Sequence, residues 1–224
     1  MMPPVLEQSI PERIPHSSYD IAFEYRPVSS LYRCWHRSMD ILFSLCGMVA
    51  LSLLLPVVAL CNYLESPGPL FYTQERLGYM GKPFTIYKLR SMRTDAEREG
   101  KAIWATRDDP RATRIGRLLR ATHLDELPQI INILRGEMSL IGPRPEREVY
   151  VLQLEKIAPW YRKRLLIKPG LTGLAQVKHN YGGTQQDELR KLEYDLYYIK
   201  HQSWQLDVAI LLRTVGEVVS GHGI

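Results

Sequence analysis

The sequence of 224 residues has few cysteines and lacks several common nucleotide-binding and hydrolase motifs. Its three cysteines, Cys34, Cys46 and Cys61, form no Cys-x-x-Cys pair and have no companion histidines at metal-ligand spacing. We therefore expect neither a zinc site nor a disulfide framework, and a reducing compartment is the default. The sequence contains no G-x-G-x-x-G, no G-x-x-x-x-G-K-[ST] and no G-x-S-x-G, so a dinucleotide fold, a P-loop kinase and a serine hydrolase are not indicated.

Charge is absent from one long stretch. Residues 41–64 contain no Asp, Glu, Lys or Arg, and the part at 41–61 would form a helix of ~30 Å, just long enough to cross a hydrocarbon core. A buried core helix is the alternative, although a soluble helix of this length rarely lacks a polar face. The stretch therefore predicts a membrane segment.

Pro56 lies inside this stretch and predicts a kink, because proline removes one backbone hydrogen bond and clashes with the carbonyl of Ser52. The Ser52 hydroxyl is placed to help the freed backbone groups. Basic residues flank both ends, so the positive-inside rule gives no orientation. The pattern leaves two topologies open: a full crossing, and a re-entrant hairpin that enters and leaves by the cytoplasmic face.

The remaining pattern predicts an α+β fold in which helices predominate, without the strand–helix alternation of a doubly wound sheet. Residues 1–30 read as a proline-rich tail, 31–65 as a helix-break-helix membrane segment and 66–224 as a further domain. Alternating apolar and polar residues predict a β-hairpin from 70–76 and 83–90. Helices are predicted at 109–120, capped by Asp109, and at 124–134, 145–161, 187–201 and 206–219.

Two segments, residues 159–164 and 194–204, combine aromatic and basic residues in the manner of membrane-interface segments. A third, 204–219, has the pattern of an amphipathic helix that lies on the bilayer. Core aromatics beside solvated charges are the alternative for each of them.

Asp125 and Glu126 form the most distinctive polar cluster. Thr122 stands three residues before Asp125, which is capping-box spacing and predicts both carboxylates in the first turn of a helix. That structural role is one interpretation. The other is a metal-and-phosphate site, in which one carboxylate holds Mg²⁺ and its neighbour attacks phosphorus while arginines bind phosphate oxygens. Seven arginines lie in the same part of the chain: Arg111, Arg114, Arg117, Arg120, Arg135, Arg144 and Arg147.

Arg144 differs from the other arginines because Pro143 and Pro145 enclose it and restrict its backbone. A rigidly presented arginine is typical of an anion ligand, and an exposed charge on a stiff loop is the alternative. The net charge of +5 likewise indicates anionic partners. Charge by itself does not choose among nucleic acid, lipid headgroups and phosphorylated metabolites.

Three long segments, in order behind one hydrophobic run, resemble the bacterial sugar transferases, the small monotopic phosphoglycosyl transferases. They are SPGPLFYTQERLGYMGKPFTIYKLRSMRTDAE at 66–97, DDPRATRIGRLLRATHLDELPQIINILRGEMSLIGPRPE at 108–146 and KPGLTGLAQV at 168–177. The stretch 181–219 resembles the branch that primes exopolysaccharide repeat units.

The resemblance implies an enzymatic activity and a cellular location. Such enzymes transfer a sugar-1-phosphate from a UDP-sugar to polyprenyl phosphate, usually undecaprenyl phosphate, and release UMP. We therefore expect an Mg²⁺-dependent transferase at the cytoplasmic face of the bacterial inner membrane. Its partners would be the UDP-sugar, the polyprenyl phosphate and membrane lipids, with no nucleic acid. A homo-oligomer is left open, and so is the identity of the sugar.

The resemblance also implies residue roles. Asp125 would be the nucleophile that forms an aspartyl phosphosugar, and Glu126 would help to hold Mg²⁺ together with Asp125. Pro56 would break the membrane helix into a re-entrant hairpin; Leu55 precedes it where the family commonly has serine, with Ser52 as a substitute. Phosphate binding would fall to Arg120, Arg144, Lys88 and Gln129.

Two alternatives belong to other functional classes. A membrane-anchored nucleic-acid-binding protein is favoured by the net charge alone. A non-catalytic scaffold that keeps the fold is opposed by the intact pair of Asp125 and Glu126.

Overall fold

A long helix, α1, spans Ser30–Glu65 in the computed structural model, which describes residues 25–94, 96, 109–178 and 184–220. The helix begins where the Ser29 side chain accepts a hydrogen bond from the Tyr32 amide. The predicted tail at 1–30 lies outside the described residues except for its last six positions.

Helix α1 continues through Pro56 within its assigned range. The Ser52 hydroxyl donates to the Val49 carbonyl at 2.7 Å. This hydroxyl therefore binds a carbonyl in the turn before Ser52. The break at Pro56 and the re-entrant topology stay predictions.

Most of α1 has no protein against it. Its buried positions lie on one face: Asp40, Ser44, Leu51, Val58 and Asn62. Only 17 % of its most apolar 18-residue window is buried, and Leu53 is 73 % exposed. A soluble core helix does not fit this exposure, whereas the length and composition of α1 suit a membrane segment.

The predicted β-hairpin is confirmed. Strands β1, Phe71–Leu77, and β2, Pro83–Leu89, pair antiparallel from Phe71 opposite Leu89 to Leu77 opposite Pro83. A short 3-10 turn, Tyr79–Gly81, joins them. Gly81 has φ +74°, a left-handed conformation that glycine adopts without a Cβ clash.

The other elements follow in a mainly helical order. They are helix α2, Arg114–Ala121; a 3-10 helix, Leu124–Gln129; helix α3, Ile130–Arg135; strand β3, Ser139–Ile141; helix α4, Glu148–Glu155; a 3-10 helix, Tyr161–Leu166; strand β4, Gly170–Thr172; helix α5, Leu174–Lys178; helix α6, Gln185–Lys200; and helix α7, Trp204–Ser220. This confirms the α+β class with predominant helix, and the helices predicted at 187–201 and 206–219.

Three predicted elements differ from the structure. Helix α2 is capped by Thr113, because the Asp109 carboxylate instead binds the backbone and side chain of Arg111. The helix predicted at 124–134 divides into a 3-10 and an α part, and Gly136 is its left-handed C-cap. The helix predicted at 145–161 is shorter in the structure, where α4 spans Glu148–Glu155. The parallel pairing of β3 with β4 was not predicted.

The main hydrophobic core lies among α4, the 3-10 helix Tyr161–Leu166, α6 and α7. Tyr161 and Tyr198 belong to it and are each 1 % exposed. Of the two interpretations of 159–164 and 194–204, the structure therefore supports core aromatics for Tyr161 and Tyr198. Trp204 is 58 % exposed at the start of α7 and keeps the interfacial interpretation.

Polar contacts attach α1 to this domain at both ends. Near its start, the Tyr32 hydroxyl donates to Asp207 at 2.7 Å and Asp40 accepts from the Leu140 amide at 2.7 Å. At its end, the Glu65 carboxylate accepts from the amides of Arg114 and Ile115, the first two residues of α2. Helix α1 is thereby fixed to α2, the helix that precedes the acidic pair.

Candidate functional site

The acidic pair lies in the 3-10 helix Leu124–Gln129, directly after α2. His123 joins the two helices in a left-handed conformation, with φ +56°. The Thr122 hydroxyl donates backward to the Leu118 carbonyl at 2.8 Å. The predicted capping box is therefore wrong, and the sharp turn at His123 orients the pair instead. Asp125 is 8 % and Glu126 7 % exposed.

Glu126 is held between two cations. Lys88, from β2, donates to its Oε1 at 2.6 Å. Arg144 forms a two-pronged pair, with Nη2 to Oε1 at 2.5 Å and Nη1 to Oε2 at 3.2 Å. Burial would raise the pKa of Glu126, but Arg144 and Lys88 outweigh it and hold that pKa well below the usual range. Glu126 is therefore ionised at neutral pH.

Asp125 is in the opposite situation. Within the described parts of the chain, its carboxylate has neither a hydrogen bond nor an ion pair. Burial raises its pKa and the charge of Glu126 adds to this, while Lys88, Arg144 and Arg120 oppose the shift. A buried carboxylate without donors keeps its lone pairs available, which is what a nucleophile requires.

Arg120 and Gln129 are buried residues in the helices that precede and carry the pair. Arg120 is in the last turn of α2, is 9 % exposed and acts electrostatically on Asp125. Gln129 ends the 3-10 helix and is 1 % exposed. Its Nε2 has no hydrogen-bond partner among the described residues. Lys88, Arg120 and Arg144 are thus assembled around Asp125 and Glu126 from three separate elements.

Asn132 is a site-supporting residue that the sequence prediction missed. It is fully buried in α3, where its Nδ2 donates to the Thr85 carbonyl at 2.7 Å and its Oδ1 accepts from the Tyr87 amide at 3.3 Å. These bonds hold β2 beside α3 and thereby place Lys88. A single amide within the apolar run IINIL was the available signal, because a buried polar side chain needs partners.

The donor set fits one kind of metal site. No group of three or more His, Cys, Asp or Glu side chains that could hold a metal occurs among the described residues. Mg²⁺ is commonly bound by one or two carboxylates together with substrate phosphates and water. Asp125 and Glu126 therefore fit an Mg²⁺ that arrives with a phosphate substrate, and do not form an all-protein cage.

The model of the family described as Bacterial sugar transferase matches residues 31–221. A relative from Aeromonas hydrophila, the UDP-N-acetylgalactosamine-undecaprenyl-phosphate N-acetylgalactosaminephosphotransferase, is 42 % identical over 87 % of this chain and 46 % of its own length. The UDP-glucose:undecaprenyl-phosphate glucose-1-phosphate transferase of Escherichia coli (strain K12) is 39 % identical over 84 % of this chain and 41 % of its own. This chain spans less than half of each.

A third relative has nearly the same length as this chain. The exopolysaccharide production protein PSS of Rhizobium leguminosarum bv. phaseoli is 39 % identical over 84 % of this chain and 96 % of its own length.

Proposed function

Because the chain belongs to the bacterial sugar transferase family, we propose that it transfers a sugar-1-phosphate from a UDP-sugar to undecaprenyl phosphate or another polyprenyl phosphate. The products would be polyprenyl-diphosphate-sugar and UMP, which is the first membrane step of exopolysaccharide or other glycoconjugate synthesis. The names of the relatives from Aeromonas and Escherichia support this donor and acceptor. The observation that carries the proposal is the pairing of Asp125, which has no hydrogen-bond donor among the described residues, with a cation-bound Glu126.

The reaction would have two steps at Asp125. Its carboxylate oxygen attacks the phosphorus that bears the sugar, and the bond from that phosphorus to the bridging oxygen breaks. UMP leaves with the bridging oxygen and an aspartyl phosphosugar remains. In the second step a phosphate oxygen of the polyprenyl phosphate attacks the same phosphorus, and the Asp125 carboxylate is released. The UDP-sugar therefore occupies the site only in the first step, and the polyprenyl phosphate only in the second.

The cations around the pair would bind the substrate phosphates. Arg144 is the best placed, because its side chain is 41 % exposed while its guanidinium still touches Glu126. Two parallel N–H groups suit a phosphate as well as a carboxylate. Lys88 and Arg120 would add positive charge, and Gln129 is a further phosphate-binding candidate in the same 3-10 helix. When bound, Mg²⁺ would neutralise phosphate charge, with Glu126 and Asp125 as its ligands.

We further propose that α1 is a re-entrant membrane segment that holds this site at the cytoplasmic face of the inner membrane. The large exposed apolar surface of α1 supports membrane association. The chemistry supports the face, since nucleotide sugars are cytoplasmic and the acceptor phosphate lies at headgroup level. Apolar residues on α7, including Val215 at 61 % exposure, would extend the membrane contact.

The test is nucleoside-monophosphate release by the purified full chain, with Mg²⁺, undecaprenyl phosphate and a panel of UDP-sugars that includes glucose and N-acetylgalactosamine. We expect UMP with at least one donor, and loss of turnover in Asp125→Asn. A mass spectrum of wild type with donor alone should place a phosphosugar on Asp125. Glu75→Gln, which changes an exposed carboxylate on the hairpin, is the control. Full activity of Asp125→Asn would contradict the assignment.

A further inference from the structure

The loop that presents Arg144 is fixed along its whole backbone. Four successive carbonyl groups each accept a hydrogen bond from a different part of the fold. The bonds are Gly170 amide to Pro143 at 2.9 Å, Arg164 Nη2 to Arg144 at 3.0 Å, Arg76 Nη1 to Pro145 at 3.1 Å, and Leu77 amide to Glu146 at 2.9 Å. Two of the donors are backbone groups of strands, and two are arginine side chains.

Of the two arginines, Arg164 is the deeply buried one, at 5 % exposure. The Nη2 that donates to the Arg144 carbonyl also donates to Asp195 Oδ2 at 2.7 Å, and Nη1 donates to the Tyr161 hydroxyl at 2.6 Å. Asp195 is 1 % exposed on α6. A charged pair is therefore buried in the main core, with one of its N–H groups directed to the site loop.

Stability alone is a weak reason for such a pair. Replacing a buried ion pair by apolar side chains is often neutral or stabilising, because two charges must lose their hydration. The pair does, however, fix the carbonyl of Arg144 in a defined direction. Because Pro143 and Pro145 restrict the neighbouring torsions, fixing this carbonyl also fixes the direction in which the Arg144 side chain leaves the backbone.

We propose that Arg164, held in place by Asp195, is a positioning residue that acts through Arg144. The proposal rests on the proposed function in one respect, the binding of a substrate phosphate by Arg144. Arg164 itself touches no group of the acidic pair among its described contacts. The Arg144 side chain is 41 % exposed, so burial alone does not orient it. Its direction depends on its backbone and on Glu126, and small displacements of a binding group reduce catalysis strongly.

The kinetic test uses Arg164→Lys in three backgrounds: wild type, Arg144→Lys and Arg120→Lys. In wild type we expect kcat/KM for the UDP-sugar to fall by about tenfold. Residues that act through one group are not additive. The loss should therefore shrink to less than about twofold in Arg144→Lys and persist in Arg120→Lys. Equal losses in all three backgrounds would overturn the proposal and leave Arg164 a core-stabilising residue.

A second readout needs no activity. Hydrogen–deuterium exchange of the full chain should show faster exchange of the backbone amides in the loop at 142–147, those of Gly142, Arg144, Glu146 and Arg147, in Arg164→Lys, with the β-hairpin unchanged. The matched control is Arg162→Lys on the same 3-10 helix, whose side chain pairs with Glu155 at 2.9 Å. Exchange at 142–147 that matches wild type would overturn the proposal.

The two readouts separate the two proposals. If wild type releases no UMP with any donor, the proposed function fails, and the exchange measurement still decides whether Arg164 fixes the loop. If Arg144→Lys has no turnover, the kinetic comparison cannot be made, and the exchange measurement alone decides whether Arg164 fixes the loop. If Arg164→Lys does not fold, Asp195→Asn replaces it in both experiments. We expect the same pattern from Asp195→Asn, because an amide holds the Arg164 charge less firmly than a carboxylate.

Discussion

Asp125 and Glu126 are neighbours in sequence and both are buried, yet they have different partners. Glu126 accepts hydrogen bonds from Lys88 and Arg144, which stabilise its charge. Asp125 has no such donors within the described residues. This division leaves one carboxylate paired with cations and the other without a donor among the described residues, as the proposed roles of the two residues require. Such separation of environments is how two identical functional groups acquire different roles.

Glu126→Gln should lower turnover by at least about tenfold and weaken the apparent Mg²⁺ affinity. An amide carries no charge, so it binds Mg²⁺ poorly and leaves Lys88 and Arg144 without their shared anion. A titration of UMP release against Mg²⁺ measures both effects. Glu75→Gln should leave the titration as in wild type, and an unchanged Mg²⁺ dependence in Glu126→Gln would count against its role.

Asp195 provides a pH-dependent test of the buried pair. Burial raises the pKa of Asp195 to about 6, although Arg164 opposes the shift. The ordinary pKa of the group is 3.8. At a pH between 3.8 and about 6, the Asp195 carboxyl is therefore mostly protonated in the folded chain and mostly ionised in the unfolded chain. Its contribution to stability is present at low pH and is lost as pH rises through about 6.

The measurement for Asp195 is the free energy of unfolding of wild type minus that of Asp195→Asn. We expect this difference to fall by up to about 3 kcal/mol between about pH 4 and about pH 7. Denaturant unfolding of both proteins in the same detergent gives the values. A difference that does not change over this range would show that Asp195 does not titrate there.

At the scale of elements, the short helix α2 illustrates how tertiary contacts set a boundary. It has only eight residues, too few to be stable by itself in water. Thr113 caps it, and the Glu65 carboxylate from α1 accepts from its first two amides. The sequence favoured a start at Asp109, because Pro110 suits a first turn. The Glu65 contact, which is remote in sequence, could not be read from the local pattern.

Gly116 in α2 permits a close approach of two backbones. A Cβ at this position would lie 1.9 Å from the Ser91 carbonyl oxygen, whereas a Cβ at Gly216 in α7 would meet nothing within 4 Å. We expect Gly116→Ala to destabilise the protein by about 1–3 kcal/mol. Gly216→Ala is the control and should be neutral or stabilising by up to about 1 kcal/mol, because glycine is unfavourable inside a helix.

Thermal unfolding of the two glycine variants measures the effect. The apparent Tm should fall for Gly116→Ala only. Activity should fall with it, because α2 carries Arg120 toward the acidic pair. Equal Tm values for the two variants would show that the chain relaxes around Gly116 at no cost.

At the scale of the whole molecule, exposed apolar side chains and the polar candidate site lie on different parts of the protein. Apolar side chains on α1 and α7 face outward, while the acidic pair and its cations lie inside the domain that α1 contacts. A full crossing and a re-entrant hairpin both bury the apolar surface of α1. They differ in where the start of α1 lies, since the hairpin keeps both ends on the cytoplasmic side.

Leu53→Glu should release part of the protein from the membrane fraction, because the side chain is 73 % exposed on α1 and a charge in hydrocarbon costs about 3 kcal/mol. Its far-UV circular dichroism should match wild type, since no packing is lost. The control Gln186→Glu adds the same charge at an exposed position of α6 and should stay membrane-bound. Equal membrane binding of both variants would remove Leu53 from the membrane contact.

Topology is tested by labelling single cysteines at positions 30 and 70 in a variant with Cys34, Cys46 and Cys61 replaced by serine. We expect a membrane-impermeant thiol reagent to leave both positions unlabelled in intact cells and to label both in inverted vesicles. Labels on opposite faces would rule out the re-entrant hairpin and establish a crossing.

The sequence by itself determined the features that local patterns specify. A charge-free run predicts the long apolar helix, two-residue alternation predicts the hairpin, and adjacent acids among arginines predict the candidate site. Each signal depends on residues close together in the chain. The three-residue strands β3 and β4 are too short to show a period, so their pairing was not readable.

Tertiary structure alone decided how the candidate site is organised. Lys88 reaches Glu126 across 38 positions of the chain, and Arg164 reaches Asp195 across 31. Whether a given arginine binds a carboxylate, a carbonyl or a substrate depends on which elements pack together. Burial and ion pairing then separate Asp125 from Glu126, because electrostatic energies are set by distance and exposure in space.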